Sequence, residues 1–211
     1  IRMMSHEVNN SVGAIGSTLN VVADIFKQDG SNKWEYVLPA IEASFDRCGH
    51  LASFISNLAQ VIRIPEPTFS LISLNEQARS VYSLTSIECR QRNIELSLSL
   101  TDNDQYIHVD GIQFEQVLVN IIKNAYEAIG ENGRIKISTY HSPLSIIIED
   151  NGPGISEEAK QKLFTPFFTT KSSGQGIGLM FVREVLTNHR CRFSLSTEEG
   201  YTRFKIFFEV I

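Results

Sequence analysis

The sequence predicts two parts of different class. Residues 1–66 read as a helical hairpin that pairs as a dimeric four-helix bundle, and residues 67–211 as an α/β sandwich. Three observations predict this. Two heptad seams follow one another up to Ile64, and a proline pair, Pro65 and Pro67, breaks the helical pattern and marks a linker. Beyond it, short alternating runs interleave with longer apolar-periodic runs, an order that suits one sheet covered by helices on one face.

The first seam is Val8, Val12, Ile15, Leu19, Val22 and Phe26, spaced alternately by four and three residues. The polar stretch Gln28–Lys33, with Gly30, is a turn signal. The second seam is Leu38, Ile41, Phe45, Cys48, Ala52, Ile55, Ala59 and Ile62, widened by Leu51 and Leu58. A single hairpin covers its own stripes poorly, whereas two cover each other, so a homodimer is expected. The alternative is packing against the rest of the same chain.

After the linker, Thr68–Ile72 reads as a strand and Leu74–Arg92 as a helix with Asn75 or Ser73 near its cap. Ile94–Leu100 alternates as a strand, TDND is a turn, and Tyr106–Val109 is a strand. Ile112–Ile129 is a strongly apolar helix stopped by Gly130 and Gly133. Arg134–Tyr140 and Leu144–Glu149 form a strand pair, Ile177–Asn188 is a helix, and Arg192–Thr197 and Thr202–Val210 close the domain around the turn EEGY. The stretch from Asn151 to about Gln175 has little periodicity and contains Gly152, Pro153, Gly154, Pro166 and Gly174. A long structureless loop inside a compact domain is usually functional, and a lid over a ligand is the natural reading.

Composition narrows the function. The 211 residues carry a net charge of −5 and a pI near 5.6, which argues against a nucleic-acid partner. No apolar run approaches the roughly 18 residues of a membrane span, so no membrane contact is expected from this fragment. No signal peptide is legible, and the opening IRMMSHEVNN starts helical without a cap, as a truncated start would. Cys48, Cys89 and Cys191 are scattered and include no CxxC pair, which fits a reducing, cytoplasmic setting.

Four constellations can carry chemistry. DNGPG, from Asp150 to Gly154, follows the apolar run SIIIE. A carboxylate at a strand end can accept from an exocyclic amine, and Gly152 and Gly154 let backbone approach a flat ring closely. GQGIGL places Gly174, Gly176, Gly178 and Leu179 at the opening of a helix, where successive N–H groups and the helix dipole suit phosphate. It is neither a Walker A loop nor a Rossmann turn, since no GK[ST] follows and no strand immediately precedes. In QVLVNIIKNAYEA, Asn120 and Asn124 lie one turn apart on a buried helix, Lys123 sits beside them, and amide oxygens are acceptable magnesium ligands. His6 lies just off the first seam, with Glu7 next and Asn10 one turn on. A neutral imidazole nitrogen can attack phosphorus if a neighbouring carboxylate takes the proton from the ring.

Together, in this order and spacing, these elements resemble the transmitter module of sensor histidine kinases over essentially the whole chain. SHEVNN resembles that family's phosphoacceptor motif, QVLVNIIKNAYEA its asparagine box, DNGPG and GQGIGL its glycine boxes, and LFTPFFTTK its phenylalanine box with the following TTK. The second part is similar to the Bergerat or GHKL-like ATP-binding fold shared with gyrase, MutL and heat-shock chaperone ATPases. The resemblance implies autophosphorylation of His6 by ATP with Glu7 as base, then transfer to an aspartate of a response-regulator receiver domain. It assigns Asn124 to Mg²⁺ with Asn120 in support, Asp150 to the adenine amine, and Gly174, Gly176 and Gly178 to the lid and phosphate site. Thr170 and Lys171 fall where lid residues approach nucleotide, and Phe164, Phe167 and Phe168 where the lid is anchored to the bundle or the domain core.

Related ATPases place a water-activating glutamate four residues before the magnesium asparagine. Here that position is Asn120, which favours a kinase over a hydrolase. The chain departs from the family pattern at Ser11 in place of a proline, Arg190–Cys191 in place of Gly-Gly, and Glu127 in place of a frequent basic residue. Two competing readings are a module that chiefly dephosphorylates its regulator, with Asn10 positioning water, and a non-catalytic dimerisation scaffold. Intact His6, Glu7, Asn124 and Asp150 argue against the scaffold.

Overall fold

The computed structural model describes residues 2–27, 33–62, 64–165, 168–169 and 176–209. The chain divides into two compact units, Ile1–Ile62 and Arg63–Ile211.

The first unit is two long helices, α1 (Arg2–Lys27) and α2 (Lys33–Ile62). With Ser11 in place of proline, α1 runs unbroken through that position. A proline stands instead inside α2, at Pro39. Ser11, Val37 and Ser44 are buried. The seam residues Val12, Leu19, Phe26, Leu38, Ile41, Phe45 and Ile55 stay exposed, Phe45 at 79%. The hairpin therefore leaves much of its heptad stripe uncovered by its own two helices.

The second unit opens with β1 (Ser70–Ser73) and α3 (Leu74–Gln91). It continues with β2 (Glu95–Ser99), β3 (Tyr106–Val109) and α4 (Gly111–Ile129). The hairpin β4 (Arg134–His141) and β5 (Leu144–Asp150) precedes a one-turn helix, α5 (Glu157–Lys160). Helix α6 (Gly178–Asn188) leads to β6 (Arg192–Glu198) and β7 (Tyr201–Phe207). The single sheet expected from the sequence is corrected to two. β1 and β3 pair antiparallel by themselves, and the main sheet runs β2-β4-β5-β7-β6. Alternation along a strand fixes a face but not a partner, so this split was not legible.

The inner face of the main sheet can be followed rung by rung. Leu98, Ile137, Ile148, Phe204 and Leu195 stand side by side, and the next rung holds Thr139, Ile146, Ile206 and Phe193. Helices α3, α4 and α6 pack on the sheet through Leu74, Ala78, Val81, Phe114, Val117, Leu118, Val182, Val185 and Leu186, all essentially solvent-free. Sequence explains where the helices start. The Ser73 hydroxyl, rather than Asn75, caps α3 by accepting the Glu76 N–H, and Asp110 caps α4 by accepting those of Ile112 and Gln113. The expectation of an unstructured run from Asn151 is corrected in part: Ser156 caps α5 by accepting from Ala159 N–H, and turns continue to Thr165.

Candidate functional site

The site is built from the ends of three elements: β5, α4 and α6. Strand β5 alternates Leu144, Ile146 and Ile148 onto the inner face, and the next position on that face is Asp150. A carboxylate thus takes the place of a core residue, 8% exposed, in a rung shared with Ile135, Thr202 and Thr197. Burial, with Glu149 adding to it and the Gly152 N–H opposing, pushes its pKa up to about 6. Its Oδ1 accepts the Gly152 N–H at 2.9 Å. A Cβ on Gly152 would stand 2.8 Å from that oxygen, so only glycine lets the chain fold back over the carboxylate. Gly154 has φ +81°, and a Cβ there would meet Thr197 Cγ2 at 2.8 Å. The Thr197 hydroxyl accepts the Ile155 N–H at 3.1 Å and lies 3.4 Å from that of Thr202. These two threonines complete a polar patch at one end of an apolar face. The sequence reading missed them because only the pairing register brings them to Asp150.

On α4, Asn120 and Asn124 lie one turn apart. Asn120 Nδ2 donates to Gln116 O at 2.9 Å, which leaves Oδ1 turned toward the start of α6. A Cβ on Gly178 would be 3.3 Å from Asn120 Oδ1 and 3.9 Å from Asn124 Nδ2. The asparagine pair and the second glycine motif, far apart in sequence, thus meet. Helix α6 begins at Ile177 with no side-chain cap, unlike α3, α4 and α5. Among the described residues, its first-turn N–H groups therefore lack the side-chain cap that the other helices have, the arrangement that favours an anion. Gly176 has φ +65°, which turns the chain into the helix, and Leu179 lies in its first turn, half-buried. Lys123 is exposed, with Nζ 3.9 Å from Glu127 Oε1 one turn on.

Phe164 is held to the domain core: its ring meets that of Phe193 edge-on at 5.5 Å, and Arg183 Nη1 donates to its carbonyl at 3.0 Å. Phe168 is half-buried, with its N–H on Thr165 O. Phe167, Thr170, Lys171 and Gly174 lie outside the described residues. His6 and Glu7 sit on the helical backbone of α1 but their side chains are outside the described residues, while Asn10, one turn on, is exposed. Arg190 adopts the left-handed φ of 55° after α6, its N–H and that of Cys191 close the helix end, and β6 starts at Arg192.

The inventory suits a nucleotide: a buried carboxylate with close backbone for a base carrying an exocyclic amine, and an uncapped helix start beside two amides for phosphates and a divalent cation. Magnesium accepts such hard oxygen donors and keeps part of its shell for phosphate and water, which fits a site offering few protein ligands. Among the described residues no cluster of three His, Cys, Asp or Glu could hold a metal without such help.

Comparison with known proteins points the same way. Residues 109–210 match the family described as "Histidine kinase-, DNA gyrase B-, and HSP90-like ATPase". The sensor histidine kinase ZraS of Salmonella typhimurium is 28% identical over 200 residues, which span 93% of this chain and 42% of ZraS. The signal transduction histidine-protein kinase AtoS of Escherichia coli is 29% identical over 201 residues, 94% of this chain and 32% of AtoS. Among solved structures, the nucleotide-free catalytic domain of histidine kinase ThkA is similar with a TM-score of 0.62 and 34% identity, over 67% of this chain and 95% of that domain. ThkA in complex with the response regulator protein TrrA is similar with a TM-score of 0.72 and 26% identity, over 98% of this chain and 60% of that one. The chain spans less than half the length of these curated relatives.

Proposed function

Because the chain belongs to the histidine kinase family, we propose that it is the catalytic core of a two-component sensor kinase, phosphorylating its own His6 from ATP and passing the phosphoryl group to an aspartate of a response-regulator receiver domain. The observation that carries this reading is the meeting of Gly178, at the uncapped start of α6, with Asn120 and Asn124, in a domain whose β5 ends in a buried carboxylate.

In this mechanism Asp150 accepts a hydrogen bond from the exocyclic amine of adenine, and Thr202, beside it in the register, offers a hydroxyl on the same rung. Gly152 and Gly154 keep the ring face free of Cβ atoms. The first-turn N–H groups of α6 orient the phosphates. Asn124, with Asn120 in support, would hold Mg²⁺, which supplies charge neutralisation along the triphosphate. From the family resemblance, Thr170, Lys171, Gly174 and Gly176 would be the residues that approach the nucleotide. An imidazole nitrogen of His6 forms the new bond to the γ-phosphorus as the bond to the β,γ-bridging oxygen breaks and ADP leaves. Glu7 takes the proton from the other ring nitrogen. Positioning supplies most of the rate in such a transfer. Asn120, being an amide, offers no base to activate water, so the γ-phosphoryl group is kept for His6. Asn10 stands one turn beyond His6, where an amide can hold a water against the regulator's phosphoaspartate.

A second copy of the chain is the proposed cover for the exposed seam on α1 and α2, giving a homodimeric four-helix bundle. No helix among the described residues is long and apolar enough to cross a membrane, and we place this fragment in the cytoplasm, where ATP is found. Incubation with γ-labelled ATP and magnesium tests the reaction. The expected product is chain-bound phosphate labile to acid and stable to alkali. Release of free phosphate without labelling would instead mark an ATPase.

A further inference from the structure

Helix α6 touches α4 from both of its own ends, and the second contact lies remote from the nucleotide motifs. His189, just past the end of α6, is 6% exposed. Its Nε2 accepts the backbone N–H of Asp110 at 3.0 Å. A ring nitrogen that accepts from an amide carries no proton, which assigns the ring's donor to Nδ1. Nδ1 donates to Val185 O at 2.7 Å, in the last turn of α6. One ring thus joins the end of α6 to the residue that caps the start of α4.

The two contacts are matched in length. Asp110 to Asn120 is ten residues of α4, and Gly178 to His189 is eleven of α6. At about 1.5 Å per residue the two distances agree to within about 2 Å. The helices therefore run antiparallel, pinned at one end by His189 on Asp110 and at the other by Gly178 against Asn120. The linker converges on the same junction. Asp110 Oδ2 accepts the Thr68 N–H at 2.9 Å, Gln113 Nε2 donates to Pro65 O at 3.0 Å, and the Phe69 ring lies 5.2 Å from that of His189.

We propose that His189 is a positioning residue for nucleotide binding: by accepting the Asp110 N–H, its Nε2 fixes the lengthwise register of α6 on α4, and with it the placement of Gly178 beside Asn120 and Asn124. The inference rests on the ATP reading above and adds a residue that touches no part of the nucleotide. A simpler role as a helix C-cap would need only the Nδ1 bond to Val185. The two roles use different ring nitrogens and can be separated. Asparagine presents its amide near the Nδ1 position and nothing at Nε2, whereas glutamine reaches the Nε2 position and can offer an oxygen to Asp110.

The test measures ATP dissociation constants by calorimetry at a temperature where each variant is folded. Thr139→Val, which removes the buried Thr139–Asn75 hydrogen bond, serves as a destabilised control. Register control predicts that His189→Asn weakens ATP by about tenfold, the scale of one misplaced set of contacts. His189→Gln should stay within about twofold of wild type, and Thr139→Val should bind as wild type while melting lower. His189→Asn binding ATP as tightly as wild type, or His189→Gln binding as weakly as His189→Asn, would overturn the positioning role. Failure of the wild-type chain itself to bind ATP would overturn the nucleotide reading, and this inference with it.

Discussion

Gly178 at the start of α6 faces Asn120 on α4 so closely that a Cβ would stand 3.3 Å from the Asn120 amide oxygen. That contact is tight but not prohibitive, and it makes Gly178 a probe of the site rather than of the fold. Alanine suits a first-turn helical position better than glycine by up to about 1 kcal/mol. Gly178→Ala should therefore leave thermal stability unchanged or raised. It should still weaken ATP about tenfold by displacing Asn120 and crowding the phosphate approach. Calorimetry and thermal unfolding on the same sample check both halves. Equal ATP affinity would mean the α4–α6 contact is packing only.

Asp150 should show opposite effects on stability and binding. Its carboxyl is raised from 3.8 to about 6, chiefly by burial. The folded state therefore holds this proton to a higher pH than the unfolded state does. Between pH 4 and 6 the unfolded chain binds fewer protons at this residue, so its contribution to stability is full below about pH 4 and is lost as pH rises through 6. At pH 7 the native state carries a buried charge that Asp150→Asn removes. That variant should melt higher at pH 7, with the gain disappearing near pH 4. Its ATP affinity should fall, because an amide can turn its own donor toward the adenine amine. A lost charge-assisted hydrogen bond is worth about 1.5–3 kcal/mol. Wild-type ATP binding should weaken below pH 6 relative to the variant, whose ratio to wild type then narrows. A lower melting temperature at pH 7 for Asp150→Asn would contradict the buried-charge account.

Arg190 holds a left-handed φ of 55° where glycine would be unstrained. The steric cost of that conformation for a residue with a Cβ is about 1–2 kcal/mol, partly offset by the extra freedom glycine has when unfolded. Arg190→Gly should stabilise the second unit by about 1 kcal/mol in denaturant unfolding, with an unchanged slope and unchanged ATP affinity. A destabilised variant would show that the arginine side chain contributes more than its backbone costs.

Much of this was legible in the sequence, and the omissions have physical causes. Helices α3, α4 and α6 were found to within a residue or so because strong apolar periodicity marks them and Ser73 and Gly130 punctuate it. The strands were found by alternation, yet that pattern could not say that β1 pairs with β3 away from the main sheet. The same blindness hid Thr197 and Thr202, which join Asp150 only through cross-strand register. Ser156 and its one-turn helix were lost among flanking glycines and prolines, where periodicity over four residues carries no signal. Pro39 sits within a seam that reads as helix without it. The role of His189 left no mark in the sequence, since both its partners are backbone atoms, one of them on a distant segment.

The central claim is that His6 receives the γ-phosphoryl group, and phosphate mapping of wild type against His6→Gln with γ-labelled ATP tests it most directly. The account predicts acid-labile label on wild type, none on His6→Gln, and the same ATP dissociation constant for both, because the nucleotide residues lie in the second unit. Acid-labile label persisting on His6→Gln would contradict it and would place the acceptor at His50, His108, His141 or His189 instead.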